Sequence, residues 1–382
     1  MKFGASLKTP CYVIDESGLV LNLVKLRELE NRTGCRVLLA QKAFSAFAMY
    51  PLIAEYISGT TASGLFEARL AYEEFPKEVK TAKEIHVYSP AYTHDDIREL
   101  GRICDVVVFN TLEQWEIHKD SLPSNVSAGL RVNPEKSTQE HAIYDPCSPF
   151  SRLGTTIANL QGKDSSRLKG IDGLHFHTLC EQDSDALEST LEAFLDKFGG
   201  FLSGMKWVNL GGGHHITREG YDFERLVRCV ERVKKYVPLV YIEPGEAVAL
   251  NSGWLAASVL DIVHNGMDIA ILDASAACHM PDVLEMPYRP QIVDAFPAGE
   301  KPFTFRLAGN TCLAGDVIGD YSFENRLKVG DKIFFCDMAI YSMVKNNTFN
   351  GTPLPSIAVL RCNGDLEVIK EFGYEDFKNR LS

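Results

Sequence analysis

The sequence lacks several signatures that would fix a protein's class at once. None of its ten cysteines forms a C-x-x-C pair, so neither a redox dithiol nor cysteine-rich zinc spacing is present. No apolar run is long enough to span a bilayer, and the opening Met1–Ser6 has no apolar core of the secretory-leader type. Basic residues are in deficit: 39 Lys and Arg stand against 51 Asp and Glu, a net charge of −12. Nucleic-acid binders need a basic patch, so that class is disfavoured. The adjacent His214 and His215 cannot put both rings on one face of a strand, and no metal site is expected. Together these absences predict a cytoplasmic protein with free thiols and no membrane or nucleic-acid partner.

Core material is ample: 45% of the 382 residues are hydrophobic and 24% charged, a length suited to two domains. Thr9 to Asp15 (TPCYVID) is a short extended run. Glu16 to Glu30 then carries Leu19, Leu23, Leu26 and Leu29 at helical spacing. Apolar, β-branched runs follow at 36–40, 59–63, 84–89, 106–110, 127–132, 170–177, 206–210 and 238–243. Helical stretches lie between them, among them 45–57, 64–75, 111–119, 183–198 and 218–236. Eight strands alternating with helices predict an α/β (β/α)8 TIM-like barrel. A doubly wound open sheet is the alternative, disfavoured because the first strand carries no G-x-G-x-x-G.

The barrel places its chemistry at the C-terminal strand ends. Those ends carry Lys42, then Ser63 and Glu67, Ser89 and Tyr92, Asn110, Arg131, His175 and His177, Gly211-Gly212-Gly213, and Glu243. Alone, a lysine ending a strand is an ordinary surface group; eight polar or glycine ends in register make one site. A desolvated lysine amine suits Schiff-base chemistry with a carbonyl. Three consecutive glycines can turn backbone N–H groups toward an anion. A carboxylate fixed by the rigid turn after Glu243 (EPG) can hold a pyridine nitrogen protonated. His177 can stack on an aromatic ring, whereas His175 reads as a core histidine. A buried Arg131 needs an anionic partner, for which Glu67 is the candidate.

Beyond Glu243 the chain reads as strands joined by tight turns at Asn265-Gly266, Val329-Gly330-Asp331 and Asn363-Gly364-Asp365. The domains expected are a barrel over 17–248 and an all-β domain over 249–382, with residues 1–16 joining its sheet. Cys312 and Asp316 lie in the glycine-rich turn LAGNTCLAGD, and Tyr341 ends DMAIY.

In this order, QKAF, HFHTLC, NLGGG, EPGE, GNTC with GD, and DMAIY resemble the alanine-racemase-fold (fold-type III) pyridoxal-phosphate decarboxylases over nearly the whole chain. The resemblance implies pyridoxal 5'-phosphate as cofactor and a homodimer with active sites shared across the interface. It makes Lys42 the Schiff-base lysine and His177 the ring that stacks on the pyridine. Gly211, Gly212, Gly213 and Tyr341 would reach the phosphate, with Arg131 among the cofactor-binding groups, and Glu243 the pyridinium nitrogen. Cys312 would protonate the carbanion and Asp316 would contact the distal amine of the substrate. Two departures stand out: Glu246 replaces an arginine that follows EPG in many relatives, and Cys180 replaces a serine. With ASAACHMPDVLEMPYRP at 274–290, they look most like the members acting on the cationic carboxy-triamines carboxynorspermidine and carboxyspermidine in polyamine synthesis, with Glu246 a substrate-binding acid. The alternatives are decarboxylation of diaminopimelate or another basic amino acid, and a non-catalytic regulator of the same fold.

Overall fold

The computed structural model describes residues 7–79, 81–160 and 165–382. The chain divides into two compact units, one formed by 22–248 and the other by 1–21 with 249–382; Met1–Ser6, expected to join the second sheet, lie outside the described residues.

Strand β1 (Cys11–Asp15) leads into helix α1 (Glu16–Thr33), whose Leu19, Leu23, Leu26 and Leu29 are all fully buried. The barrel strands follow: β2 (Arg36–Ala40), β3 (Gly59–Ala62), β4 (Glu84–Tyr88), β5 (Val106–Phe109), β6 (Ser127–Arg131), β7 (Ile171–His175), β8 (Trp207–Asn209) and β9 (Leu239–Ile242). They close into an eight-stranded barrel, every neighbouring pair parallel, with β9 joined to β2. The expected TIM-like barrel is therefore present, each strand within a residue or two of its apolar run. Outer helices include α2 (Leu65–Glu74), α3 (His94–Ile103), α4 (Leu112–His118), α5 (Ser184–Phe198) and α6 (Phe223–Lys234). Thr93 and Asp96 form a reciprocal capping box that starts α3.

Side chains fill the barrel. Leu38, Val106, Val108, Trp207 and Tyr241 pack as one cluster. The Trp207 indole needs room, and glycine supplies it. A Cβ on Gly173 would lie 2.1 Å from the indole and one on Gly129 2.4 Å. These two glycines are register partners on β6 and β7, so the neighbouring strands open one slot for one large ring. Trp207 Nε1 donates to Ser127 Oγ at 3.0 Å, which satisfies the polar tip of the buried ring.

The second unit is built on a nine-stranded sheet. Its strands are β1, β10 (Gly253–His264), β11 (Asp268–Leu272), β12 (Phe296–Pro297), β13 (Phe303–Ala308), β14 (Val317–Phe323), β15 (Lys332–Cys336), β16 (Ser356–Leu360) and β17 (Leu366–Lys370). β1 lies between β10, antiparallel, and β16, parallel. The hairpin β16–β17 turns at Gly364, φ +92°, with Arg361 N–H donating to Asp365 O. The unit also carries short helices at Ala276–His279, Asp282–Glu285, Ser342–Lys345 and Tyr374–Lys378, which the strand-and-turn pattern does not announce.

Candidate active site

Each C-terminal barrel end presents its side chains because the strand before it is short, apolar and anchored. Lys42 follows β2 in a turn closed by Ala43 N–H to Ala40 O and Gln41 N–H to Thr61 O. Ala40 N–H donates to Pro244 O, and a Cβ on Gly245 would sit 2.7 Å from Ala43 Cβ. The EPG turn thus packs directly on the lysine turn, bringing Glu243 and Lys42 to the same rim. Solvent reaches the Lys42 side chain, although much protein surrounds its amine. Burial pushes its amine below the ordinary lysine value of 10.5, and Arg131 pushes it further; Glu243, Cys180 and Glu67 oppose.

Glu243 is held by two donors. Asn209 Nδ2 donates to Oε1 at 2.8 Å, and His175 Nε2 lies 3.3 Å from Oε2. Burial opposes the charge, but His175 and Asn209 outweigh it and hold the carboxyl down at about 2. His175 is itself kept neutral by burial, and its Nδ1 is buried without a hydrogen-bond partner. The Nε2–H tautomer facing Glu243 follows. His175 is a buried histidine, as its core reading has it, and its bond braces Glu243.

His177 accepts the Gly212 N–H at Nδ1, 2.9 Å away, so its proton sits on Nε2. Burial, then Lys42 and Arg131, push its pKa well down, leaving a flat neutral ring. Arg131 is buried, donates to His177 O at 3.1 Å, and lies over the Tyr88 ring at 4.4 Å. Among the described residues it forms no ion pair. Glu67, its expected partner, instead accepts the Ser63 N–H at 2.6 Å and lies in the field of Lys42.

The glycine run is forced by crowding. A Cβ at Gly212 would sit 2.0 Å from Glu243 O, and one at Gly213 2.0 Å from Leu179 O; Gly211 and Gly213 have φ of +69° and +82°. Only two of the three N–H groups are engaged: Gly211 donates to Asn209 Oδ1 at 2.8 Å and Gly212 to His177. The Gly213 N–H has no intramolecular acceptor among the described residues, so the anion cradle narrows to that position.

The other strand ends brace the rim. Asn110 Oδ1 accepts from Tyr88 Oη at 2.8 Å and Gly154 N–H at 2.6 Å. Tyr92 Oη accepts the Ser89 N–H at 2.7 Å and donates to Val108 O at 3.0 Å, a loop lock. Glu246 Oε1 lies 3.4 Å from His215 Nδ1. Glu181, His215 and Glu246 place one ligand atom each within 4.8 Å of one another, which the argument from strand faces did not foresee.

In the second unit, Cys312 is exposed, and its N–H donates to Asn350 Oδ1 at 2.8 Å. Tyr341 has φ +45°, a conformation that a bulky residue holds only where its surroundings impose it. Asp316 departs from expectation. It is 3% exposed, and both carboxylate oxygens are occupied, by Ser275 Oγ at 2.8 Å, Ala276 N–H at 2.8 Å and Thr311 Oγ1 at 2.6 Å. A buried carboxylate so saturated does not reach a substrate amine, and the contact expected of Asp316 is withdrawn. Asn209, which braces Glu243, escaped the sequence reading. Its signal is a polar residue inside an apolar strand or at its very end, as in Val208-Asn209-Leu210.

Pyridoxal phosphate fits this donor set: an amine with a lowered pKa, an ionised buried carboxylate, a neutral ring, a buried guanidinium and a cradle that any Cβ would fill. The comparisons agree. The family model for the pyridoxal-dependent decarboxylase C-terminal sheet domain matches residues 11–339. A carboxynorspermidine/carboxyspermidine decarboxylase of Campylobacter jejuni is 43% identical, over 99% of this chain and 100% of its own. A carboxyaminopropylagmatine decarboxylase of Synechocystis is 42% identical, over 99% and 96%. The crystal structure of carboxynorspermidine decarboxylase from Campylobacter jejuni complexed with norspermidine superposes with a TM-score of 0.89 at 41% identity, covering 98% of this chain and 100% of that one.

Proposed function

The chain belongs to the pyridoxal-dependent decarboxylases, and from that premise we propose that it removes the carboxylate of carboxynorspermidine or carboxyspermidine, releasing the triamine and carbon dioxide in polyamine synthesis. The observation that carries this reading is identity above 40% along the full length to a decarboxylase of these substrates, joined to a barrel rim that carries Lys42, Glu243, His177 and the glycine run.

When bound, pyridoxal phosphate supplies an electron sink for the pair left as the Cα–carboxylate bond breaks. Lys42 would hold the cofactor through Nζ, and the burial that lowers its pKa favours the neutral, nucleophilic amine. Glu243, ionised and braced by Asn209 and His175, keeps a proton on the ring nitrogen. His177 offers its neutral face to the ring. Gly213 N–H and Tyr341 serve the phosphate, and Arg131 brings a buried cation with donors to share. Cys312, from a second copy of the chain, delivers a proton to Cα; the working unit is a homodimer. Glu246 adds negative charge to the rim, suited to a cationic substrate. Among the described residues no helix is long and apolar enough to cross a membrane.

A second reading has its own observation: the Synechocystis relative, nearly as similar, acts by name on carboxyaminopropylagmatine. Carbon dioxide release decides, measured with carboxynorspermidine, carboxyspermidine, carboxyaminopropylagmatine, meso-diaminopimelate and ornithine. Preference for either carboxy-triamine supports the proposal. Preference for carboxyaminopropylagmatine moves the substrate and keeps the chemistry. Silence on all five, with cofactor bound, overturns the proposal.

A further inference from the structure

The turn that carries Cys312 has little to hold it. Residues 312–315 are all exposed, and Leu313 is one of the exposed large apolar side chains. Two devices fix it. The first is Asp316. Its Oδ1 accepts from the Ala276 and Ala277 N–H groups at 2.8 and 3.3 Å. Its Oδ2 accepts from Ser275 Oγ at 2.8 Å and from Thr311 Oγ1 at 2.6 Å. A Cβ on Gly309 would fall 2.2 Å from Oδ2, so a glycine is needed for the turn to fold over the carboxylate. The turn closes with Gly309 N–H to Asp316 O at 2.9 Å and Asp316 N–H to Leu313 O at 2.9 Å. Asp316 therefore clamps both ends of 309–316 to the start of Ala276–His279.

The second device is Asn350. Its φ of +60° aims Oδ1 at the Cys312 N–H, 2.8 Å away. The segment bearing it is tied to the same short helix: Asn347 N–H donates to Cys278 O at 2.9 Å, and Asn347 Nδ2 to Ala277 O at 2.8 Å. The network thus runs from Asp316 through Ala276–His279 and Asn347–Asn350 to the backbone of Cys312.

We propose that Asp316 and Asn350 are positioning residues that aim the Cys312 thiol at the substrate carbon. This rests on the assignment of Cys312 as the acid and replaces the direct substrate contact expected of Asp316. A charge-assisted, multiply bonded carboxylate is the strongest polar anchor available to a turn with no apolar footing. A displacement on the order of 1 Å at a reacting group costs about a hundredfold in rate.

The test uses the cofactor-loaded enzyme and the variants C312A, D316N and N350G. D316N keeps an oxygen for Ala276 and Ala277 but turns an amide toward the two hydroxyls. N350G removes the acceptor while glycine tolerates the positive φ, so it covers the case in which D316N does not fold. Two readouts are taken: the KM and kcat for decarboxylation, and the iodoacetamide labelling rate of Cys312, read by peptide mass, with and without norspermidine. The proposal expects kcat to fall roughly tenfold or more in D316N and N350G with KM little changed. It expects norspermidine to shield Cys312 in the wild type and to shield it less in both variants. If C312A retains wild-type rate, the acid assignment fails and the positioning roles fall with it. If C312A is impaired but D316N and N350G keep wild-type kcat and shielding, the positioning proposal alone is overturned.

Discussion

The two ends of the barrel are made of similar residues and put them to opposite uses. At the N-terminal end, charged groups pair with one another, while His86 Nδ1 stays buried with no hydrogen-bond partner. The Glu84 carboxylate receives Arg36, the Tyr241 hydroxyl at 2.8 Å and His86 Nε2 at 3.1 Å. Asp172 meets Ser127 Oγ and Lys206 Nζ, each at 2.8 Å, and Ser127 in turn accepts the Trp207 N–H. At the C-terminal end, the groups converge without completing. Arg131 has no carboxylate at ion-pair distance among the described residues. Gln41 Nε2, His175 Nδ1 and both ring nitrogens of His214 are buried with no hydrogen-bond partner. Unsatisfied buried groups cost stability, and those at this end adjoin Lys42, Glu243 and the glycine run, where a ligand can supply partners.

The sharpest way to break this comparison is to remove the lysine. Lys42→Ala is expected to lower kcat by roughly a thousandfold or more, since the nucleophile is lost; carbon dioxide release measures it. Glu243→Gln comes next. Loss of the charge that holds the ring nitrogen protonated is expected to lower kcat by about a hundredfold, with cofactor absorbance retained. The opposite end predicts the opposite pattern. Gly173→Ala drives a methyl into Trp207 and is expected to cost about 3 kcal/mol, while kcat per folded molecule stays at wild type; denaturant melts paired with active-site titration separate the two. Glu84→Gln weakens the network at the same end, at about 1–2 kcal/mol, again with kcat preserved.

A smaller effect tests the electrostatics. The folded-state pKa of Lys42 lies below the unfolded value of 10.5, so folding expels a proton and stability rises with pH. The penalty is full below the folded-state pKa and vanishes as pH rises to the unfolded value. Glu243 runs the other way. Its contribution is present above the unfolded value of 4.5 and is lost as pH falls toward about 2. Melting temperatures of cofactor-free wild type and Lys42→Ala should therefore converge as pH rises from neutrality toward 10.5; a constant gap would mean the amine is not desolvated.

The same contrast explains what the sequence could disclose. Eight apolar runs separated by helices fix a barrel, because burial on both faces of parallel strands leaves a readable signal. Strand ends are readable too, so Lys42, His177, Glu243 and the glycine run stood out. Partners across the rim were not. Nothing local tells that Arg131 lies over Tyr88 rather than beside Glu67, or that His175 and Asn209 brace Glu243. Asp316 shows the limit plainly: a carboxylate in a glycine-rich turn reads the same whether it faces solvent or is saturated by Ser275, Thr311 and two backbone N–H groups.

The most direct test of the account is borohydride reduction of the cofactor-loaded protein, followed by digestion and peptide mass measurement. The account predicts a single stable pyridoxyl phosphate adduct, on the peptide containing Lys42. An adduct on another lysine, or none on a protein that nonetheless releases carbon dioxide, would contradict it.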